Sequence, residues 1–443
     1  MPSATSNQRN TTTKVAEKQW TMLVYLAGDN NLDSAGVTDL REMKQVGSTA
    51  QVNVIAQFDR LGSTRATKRY YLRKGGTLDK DAVASLGETN MGDPNVLKDF
   101  LLWGMKNYPA QHYLVVVWNH GAGWDDEDIY RTARHTLKLN LKRRGEVIAP
   151  TRGTALGAVS IRRLRVVGGK RFRRALFGSA IAKAVSPGLK ARAIAFDDTA
   201  KDFLDNIEMK QLLLSVKKTL GRKIDILGMD ACLMSMAEVG YQLRDSVLLT
   251  VGSEEVEPGD GWPYDAILTA LTKRPRMLPS DLASTIVKKY LASYDANAGV
   301  TQAACDLGKS GTLAEAIDRL AQVLKSNLAD TAIRTAVVQS RLQVQSYDVA
   351  DYIDLYDFCE LLAGHCQQAE VQSACQQVRE VLSSGGFVVQ SGYKGATLQH
   401  SHGLSIYFPQ KNISSLYATL DFTKQTSWDE FLREYQSSTR RPS

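Results

Sequence analysis

Apolar and polar residues follow two periods along the chain, one typical of buried strands and one of amphipathic helices. Short apolar runs predict strands at residues 22–27, 51–59, 113–118, 191–198, 224–228, 246–252 and 302–307. Helical periodicity predicts helices at 33–46, 94–107, 206–220 and 233–243, and residues 70–72 and 75–77 predict a short hairpin. Strands that alternate with helices are typical of an open, mainly parallel α/β sheet.

The pattern changes after residue 308, where long helical stretches replace the alternation. Helices are predicted at 313–328, 352–362 and 369–382, followed by short strands at 387–390 and 403–408. The sequence therefore predicts three parts: a disordered polar tail at 1–19, an α/β domain at 20–307, and a C-terminal subdomain of helices and strands at 308–443.

Composition argues against several classes of protein. Of the 443 residues, 43% are apolar and 23% are charged, as in ordinary globular proteins. No window approaches 18 uninterrupted apolar residues, so we expect no membrane-spanning helix. The first 19 residues lack the apolar block of a secretory signal, which favours a cytoplasmic location and leaves secretion by another route open.

The basic charge is concentrated in one segment. Residues 131–192 contain 17 Lys or Arg and one acidic residue, Glu146, whereas the whole chain has a net charge of only +8. The rest of the chain is therefore acidic. Because the segment is highly charged and rich in glycine, we expect it to form an exposed loop.

Two reactive side chains follow predicted strands. His120 and Gly121 follow the strand at 113–118, and Cys232 follows the strand at 224–228. Loops at the carboxyl ends of parallel strands form the ligand sites of open α/β sheets. Because Cys232 precedes the helix predicted at 233–243, the helix dipole would favour its thiolate. His120 would supply a proton to a leaving amine, and the backbone N–H groups of Gly121 and Cys232 would face an oxyanion.

Each of these residues alone has a simpler interpretation. A lone Cys at a strand–helix junction is usually a small core residue, and a lone His after an apolar strand usually packs against its neighbours. Their matching positions favour a Cys–His dyad. Cys359, His365 and Cys366 lack a second ligand pair at zinc spacing, so we expect buried thiols there rather than a metal.

Several motifs together resemble the clostripain family of clan CD cysteine peptidases, the group that includes caspases, gingipain, legumain and separase. The matching strings are WTMLVYLAGDNNLD, VVVWNHGAGW, FDD, DILGMDACLMSMAEV, PGDGWPY and HGLSIYFP, spread over residues 20–410. The resemblance implies a caspase-like sheet, with His120 and Cys232 as the catalytic pair. It also implies cleavage after Arg or Lys, with maturation by internal cutting.

The resemblance also points to an acidic specificity pocket. Asp230 and Asp260 occupy the positions that match the pocket of the clostripain type. A buried Arg or Lys side chain needs a carboxylate partner, because an unpaired buried cation is very costly. Glu254, Glu255 and Glu257 lie in the same predicted loop and could contribute to the pocket, although we expect them rather to cap helices or face solvent.

Calcium is linked with clostripain-type enzymes, and it prefers oxygen ligands. Peptide cleavage by a Cys–His dyad needs no cofactor. Calcium is therefore a possible ligand of the protein and not a requirement of the reaction. The candidate acidic residues show no EF-hand spacing, and helix capping or ordinary turns explain most of them. They are Asp29, Asp33, Asp197, Asp198, Asp202 and Asp205.

Two functions from different classes emerge. The first is a cysteine endopeptidase that acts on proteins or peptides, binds neither nucleic acid nor membrane, and cuts itself in segment 131–192. Candidate cuts follow Arg144, Arg165 or Arg174, and the two processed chains would stay associated. The rival is a non-catalytic protein that docks on nucleic acid or an anionic membrane through the same segment. Aromatic residues are sparse there, only Phe172 and Phe177, which argues against a stacking platform for single strands.

Overall fold

The computed structural model describes residues 17–29, 32–62, 65–119, 194–197, 202–383 and 385–439. The strands are β1 (Lys18–Gly28), β2 (Val52–Arg60), β3 (Lys68–Tyr71), β4 (Ala82–Ser85), β5 (Ala110–Trp118), β6 (Ile194–Asp197), β7 (Asp202–Leu204), β8 (Ile224–Asp230), β9 (Val247–Gly252), β10 (Val300–Asp306), β11 (Tyr352–Asp354), β12 (Val388–Lys394) and β13 (Ser405–Tyr407).

The α-helices of the described residues are α1 (Asp33–Val46), α2 (Pro94–Asn107), α3 (Asn206–Leu220), α4 (Ala237–Leu243), α5 (Tyr264–Lys273), α6 (Pro279–Ala292), α7 (Ser310–Asn327), α8 (Thr331–Gln343), α9 (Leu355–His365), α10 (Ala369–Leu382), α11 (Asp421–Gln425) and α12 (Trp428–Thr439). Within these described residues, no helix is both long enough and apolar enough to span a bilayer.

Nine strands of the described residues form one sheet in the order β12-β10-β9-β8-β5-β1-β2-β3-β4. The central strands from β2 to β9 run parallel. The strands at both edges pair antiparallel. The two remaining pairs, β6 with β7 and β11 with β13, form separate small sheets. The predicted caspase-like α/β fold, a mainly parallel sheet flanked by helices, is thus confirmed.

The central strands are apolar because helices cover both faces of the sheet. In β1, Leu23, Tyr25 and Ala27 pack on the face covered by α2, α3 and the C-terminal helices. The alternate residues of the same strand, Met22 and Val24 among them, pack on the face covered by α1, α5 and α6. A strand buried on both faces has no polar side, which is why it was recognisable as a continuous apolar run.

Helix boundaries follow local capping signals. The Asp93 carboxylate caps α2 by accepting the N–H of Asn95, and Pro94 occupies the first helical position. Asp205 and Glu208 form a capping box at the start of α3, which ends at Gly221 with φ 78°. The helices predicted at 33–46, 94–107 and 206–220 are confirmed residue for residue.

Several predicted elements are wrong in part. The helix predicted at 352–362 begins only at Leu355, and residues 352–354 form β11. The second arm of the hairpin is β4, not residues 75–77, because Gly75 and Gly76 have φ values of 66° and 68° and belong to the turn. The helix predicted from residue 233 begins only at Ala237.

The C-terminal region does not lie apart from the sheet. Strand β12 pairs with β10 and so forms one edge of the main sheet. Ser405 in β13 forms a parallel bridge to Met236, just before α4. The domain boundary at residue 307 stays a prediction, but the residues on its two sides share one hydrophobic core.

Candidate active site

The carboxyl ends of β5 and β8 lie side by side. Trp118 is opposite Asp230 in the parallel pairing, and the Asn119 N–H donates to the Asp230 carbonyl at 3.4 Å. His120 and Cys232 each follow this pair by two residues in the sequence. His120 and Gly121 themselves lie outside the described residues, as does the segment 131–192 with Arg144, Arg165 and Arg174.

Cys232 lies in a tight turn rather than at the start of a helix. The next residue, Leu233, has φ 64° and is the only non-glycine with positive φ in the described part of the chain. A left-handed residue ends the strand direction abruptly and delays the helix to Ala237. The expected effect of a helix dipole on Cys232 is therefore wrong.

Cys232 lines a cleft, and the residue as a whole is 6% exposed. The N–H of Glu257 donates to its Sγ at 3.3 Å. The cleft has a cavity volume of about 40 Å³, and residues from four strand-end segments line it: Leu32, Trp118, Asn119, Asp230, Ala231, Cys232, Glu257, Pro258, Gly259 and Gly261. The cleft thus places Cys232 among loops at the carboxyl ends of the central strands, where α/β sheets bind their ligands.

Two buried carboxyl groups, those of Asp230 and Glu257, line this cleft beside the thiol. Asp230 Oδ2 accepts the Tyr264 hydroxyl at 2.7 Å, and Glu257 Oε1 accepts the Gln302 amide at 3.1 Å. Burial raises the pKa of Asp230 despite these hydrogen bonds. Burial and then the charge of Asp230 raise the pKa of Glu257 well above its ordinary value. Burial in this cleft therefore disfavours two negative charges on the pair.

The structure agrees with the sequence-based expectation for some of the acidic residues and not for others. Asp230 lines the cleft, as expected for a pocket residue. Asp260 is exposed and is not among the described residues that line it. Glu254, Glu255 and Glu257 were expected to face solvent or cap helices, which is wrong because all three are buried.

The second glycine of the PGDGWPY string, Gly261, is required by the local geometry. Its φ is 58°, and a Cβ added there would lie 3.2 Å from both carboxylate oxygens of Asp230. A side chain would therefore press against the acidic pair. The same string supplies the backbone N–H of Trp262 and the hydroxyl of Tyr264, which both donate to Asp230.

Sequence reasoning named Glu257 only as a secondary candidate for the pocket, and it missed Tyr264. Glu257 comes 25 residues after Cys232 in the chain, and its N–H contacts the Cys232 Sγ. A signal for Glu257 was present in the sequence, namely the glycine-rich string that follows it. Such a string predicts a tight loop whose backbone lies close to another segment of the chain.

Among the acidic residues considered for calcium, Asp33 and Asp205 have other partners. Asp33 accepts two N–H groups of Arg60, both at 2.9 Å, and Asp205 caps α3. Nothing is described for the side chains of Asp197, Asp198 and Asp202. One group of three carboxylates in the described residues could hold a cation: Asp29, Asp59 and Glu88, with ligand atoms within 4.8 Å of one another. All five cysteines are buried free thiols, as expected for Cys359 and Cys366.

Comparison with known proteins now adds to this geometry. The family model of the clostripain family matches residues 24–136 and 177–435. Clostripain of Hathewaya histolytica is 26% identical over 475 aligned residues, covering 92% of this chain and 78% of the relative.

Two solved structures resemble the fold. One is a secreted C11 cysteine protease from Bacteroides thetaiotaomicron in complex with an irreversible peptide inhibitor (TM-score 0.58, 19% identity, covering 95% of this chain and 99% of that one). The other is an inactive zymogen of a C11 protease from Parabacteroides distasonis (TM-score 0.62, 17% identity, covering 93% and 99%). At these identities the structures show the fold alone.

Proposed function

Because this chain belongs to the clostripain family of cysteine peptidases, we propose that Cys232 and His120 are its catalytic dyad and that it cleaves after Arg or Lys. Membership of this family makes the chain a hydrolase. It argues against the rival function, a non-catalytic protein that docks on other molecules through segment 131–192. The observation that carries the specificity is the common cleft, where the Cys232 thiol lies beside the buried carboxyl groups of Asp230 and Glu257.

The proposed chemistry follows from this arrangement. The Cys232 thiolate attacks the scissile carbonyl and forms a thioester, while His120 protonates the amine that leaves. Water then hydrolyses the thioester, which releases the new carboxyl terminus and restores the thiol. The backbone N–H groups of Gly121 and Cys232 would hold the oxyanion, a role that stays a prediction.

Specificity for a basic side chain rests on the acidic pair. A guanidinium entering the cleft would meet Asp230 and Glu257 together and allow both to ionise. Two carboxylates suit the fork of Arg better than the point charge of Lys, so Arg should be preferred. In this proposal Glu257 takes the place that Asp260 had in the expectation from sequence.

A set of fluorogenic peptides that differ only in Arg, Lys, Asp or Leu at the cleaved position tests the proposal. Cleavage after Arg and Lys, lost in Cys232→Ala, is the expected result. Cleavage only after Asp would replace the specificity, and no cleavage of any peptide would overturn the assignment of the dyad.

Calcium also remains a proposal. Asp29, Asp59 and Glu88 are the carboxylates that would hold it, in keeping with its preference for oxygen ligands. Burial, then the charge of Asp29, raises the pKa of Glu88, as expected for a carboxyl crowded by another. A bound cation would stabilise the ends of β1 and β2. Calcium should then raise the melting temperature of EDTA-treated protein, and Asp59→Asn should abolish that rise; an unchanged melting temperature would contradict the proposal.

A further inference from the structure

A buried polar cluster links the C-terminal region to the loop that follows β9. The Glu254 side chain in this loop is almost fully buried. Its Oε1 accepts the Tyr347 hydroxyl at 2.7 Å, and its Oε2 accepts the backbone N–H of Gly403 at 3.1 Å. Tyr347 and Gly403 are 93 and 149 residues away along the chain. A single side chain of the loop is thus held by two distant segments.

Asp354 completes the cluster. Its carboxylate accepts the backbone N–H of His402 at 2.6 Å and lies 3.3 Å from the Tyr347 hydroxyl. The carboxyl groups of Glu254 and Asp354 thus both lie within hydrogen-bond distance of the Tyr347 hydroxyl. Burial, followed by the charge of Asp354, raises the pKa of Glu254 well above its ordinary value. The cluster therefore disfavours a negative charge on Glu254.

His402, from the HGLSIYFP string, pairs with Asp354. Its Nδ1 is 3.1 Å from Asp354 Oδ1, and its ring stacks on that of Tyr356 with the ring centroids 4.4 Å apart. Burial lowers the pKa of His402, but the hydrogen bond and charge of Asp354 outweigh it and the net shift is upward. The half-buried imidazole thus closes the cluster on its solvent side.

The loop from Ser253 to Glu257 passes this constraint on to the nucleophile. The Leu233 N–H donates to the Glu255 carbonyl at 3.3 Å, and the Ser235 N–H donates to the Ser253 carbonyl at 3.0 Å. The Glu257 N–H donates to Cys232 Sγ at 3.3 Å. Each end of the loop is therefore bonded to the turn that carries Cys232.

We propose that Glu254, Tyr347 and Asp354 are positioning residues that set the loop 253–257, and with it Glu257, against Cys232. The inference rests on the proposed roles of Cys232 and Glu257. An apolar contact at this place would also stabilise the protein, but it would not fix the orientation of the loop. Hydrogen bonds between buried carboxyl and hydroxyl groups fix both distance and angle.

Tyr347→Phe is the sharpest test, because it removes one hydroxyl and keeps the ring. Without the hydroxyl, loop 253–257 should be positioned less precisely against Cys232. KM for an Arg peptide should therefore rise by about fivefold, which corresponds to the net contribution of one hydrogen bond. The value of kcat should change less than KM, and the preference for Arg over Lys should fall. A purely structural role would lower the melting temperature and leave these kinetic values unchanged.

Tyr417→Phe is the matched control. The Tyr417 hydroxyl is also buried and also donates to a carboxylate, that of Glu238 at 2.8 Å, but it has no contact with loop 253–257 in the described hydrogen bonds. It should lower the melting temperature and leave KM unchanged. Equal KM values in both variants and wild type would overturn the proposal.

Conservative substitution at Glu254 gives an independent readout. In Glu254→Gln the amide oxygen can still accept one of the two hydrogen bonds, from Tyr347 or from Gly403, whereas the NH₂ group cannot accept the other. Glu254→Leu removes both bonds. We expect the KM of Glu254→Gln to lie between those of wild type and Glu254→Leu, and Glu254→Leu should raise KM at least as much as Tyr347→Phe. A wild-type KM in Glu254→Leu would contradict the positioning role of the cluster. An inactive wild type would instead refute the proposed function.

Discussion

At the scale of single residues, the five thiols differ in environment although all are buried. Cys232 lines the cleft, whereas burial raises the pKa of Cys305 to about 12. Only a thiolate reacts readily with an alkylating agent, so Cys305 should stay inert near neutral pH. Iodoacetamide should modify Cys232 and abolish cleavage, as mass spectrometry of peptides would show. Cys305→Ala should keep both labelling and activity, and faster labelling of Cys305 than Cys232 would contradict this prediction.

The acidic pair gives a second prediction at this scale. Asp230→Asn or Glu257→Gln should each lower kcat/KM for an Arg peptide by about tenfold to a hundredfold, because one charge-assisted hydrogen bond is lost. The double variant should lose less than the product of the two effects, since the carboxyl groups act together. Kinetics on Arg and Lys peptides would measure both losses.

Asp260→Asn provides the comparison for the acidic pair. Because Asp260 is exposed and does not line the cleft among the described residues, its effect should be small. A loss with Asp260→Asn as large as that with Glu257→Gln would return the second pocket carboxylate to Asp260. A uniform loss on Arg and Lys peptides in Asp230→Asn would point instead to damage at the neighbouring Cys232.

At the scale of elements, the sequence predicted what depends on local signals. Helical periodicity predicted α1, with capping residues as an additional signal at α2 and α3, and an apolar run placed Asp230 and Cys232 at the end of one strand. The turn at Cys232 was missed because the positive φ of Leu233 is imposed by tertiary contacts and not by its residue type. The burial of Glu257 was not predicted for a related reason, since it depends on contacts with Asp230 and Gln302 far away in the chain.

Glu238 in α4 gives a prediction about stability. Its Oε1 accepts the N–H of Tyr407 at 3.0 Å and the Tyr417 hydroxyl at 2.8 Å, which joins α4 to the C-terminal region. Burial raises its pKa from 4.5 to about 7. The folded state therefore binds the proton more tightly than the unfolded state does. The resulting stability is fully present below pH 4.5, declines as the pH rises, and is lost above about 7.

Urea unfolding of wild type and Glu238→Gln would measure this contribution. Between about pH 5 and pH 8 the wild type should lose roughly 2 to 3 kcal/mol more unfolding free energy than the variant, because the amide does not titrate. The comparison cancels the slopes that Asp230, Glu254 and Glu257 add in the same direction. Parallel pH profiles for the two proteins would show that Glu238 titrates normally.

At the scale of the whole molecule, one sheet is assembled from two parts of the chain. Strands β1 to β5 precede the basic segment, and β8 to β10 with β12 follow it. The two parts meet where β5 pairs with β8, from Leu114 with Ile226 to Trp118 with Asp230. Helix packing of α2 on α3 and of α1 on α5 joins them on both faces. The proposed nucleophile and the proposed base thus come from opposite sides of the segment.

This topology leads to the last prediction, which concerns self-processing. An enzyme that cuts after Arg or Lys carries 17 such residues in segment 131–192, next in sequence to its own catalytic strands. Before cutting, a tethered basic strand would compete for the acidic cleft at high effective concentration, so the uncut chain should be less active. Cuts after Arg144, Arg165 or Arg174 would remove that competitor and leave the β5–β8 pairing intact.

Purified wild type should therefore give two bands on a denaturing gel but a single peak in native size-exclusion chromatography, with activity rising as the bands form. Cys232→Ala should remain one band, and active enzyme added in trace amount should cut it. Cutting of Cys232→Ala at the wild-type rate, with other proteases absent, would show that the processing is not its own, and separation of the fragments under native conditions would contradict the shared sheet.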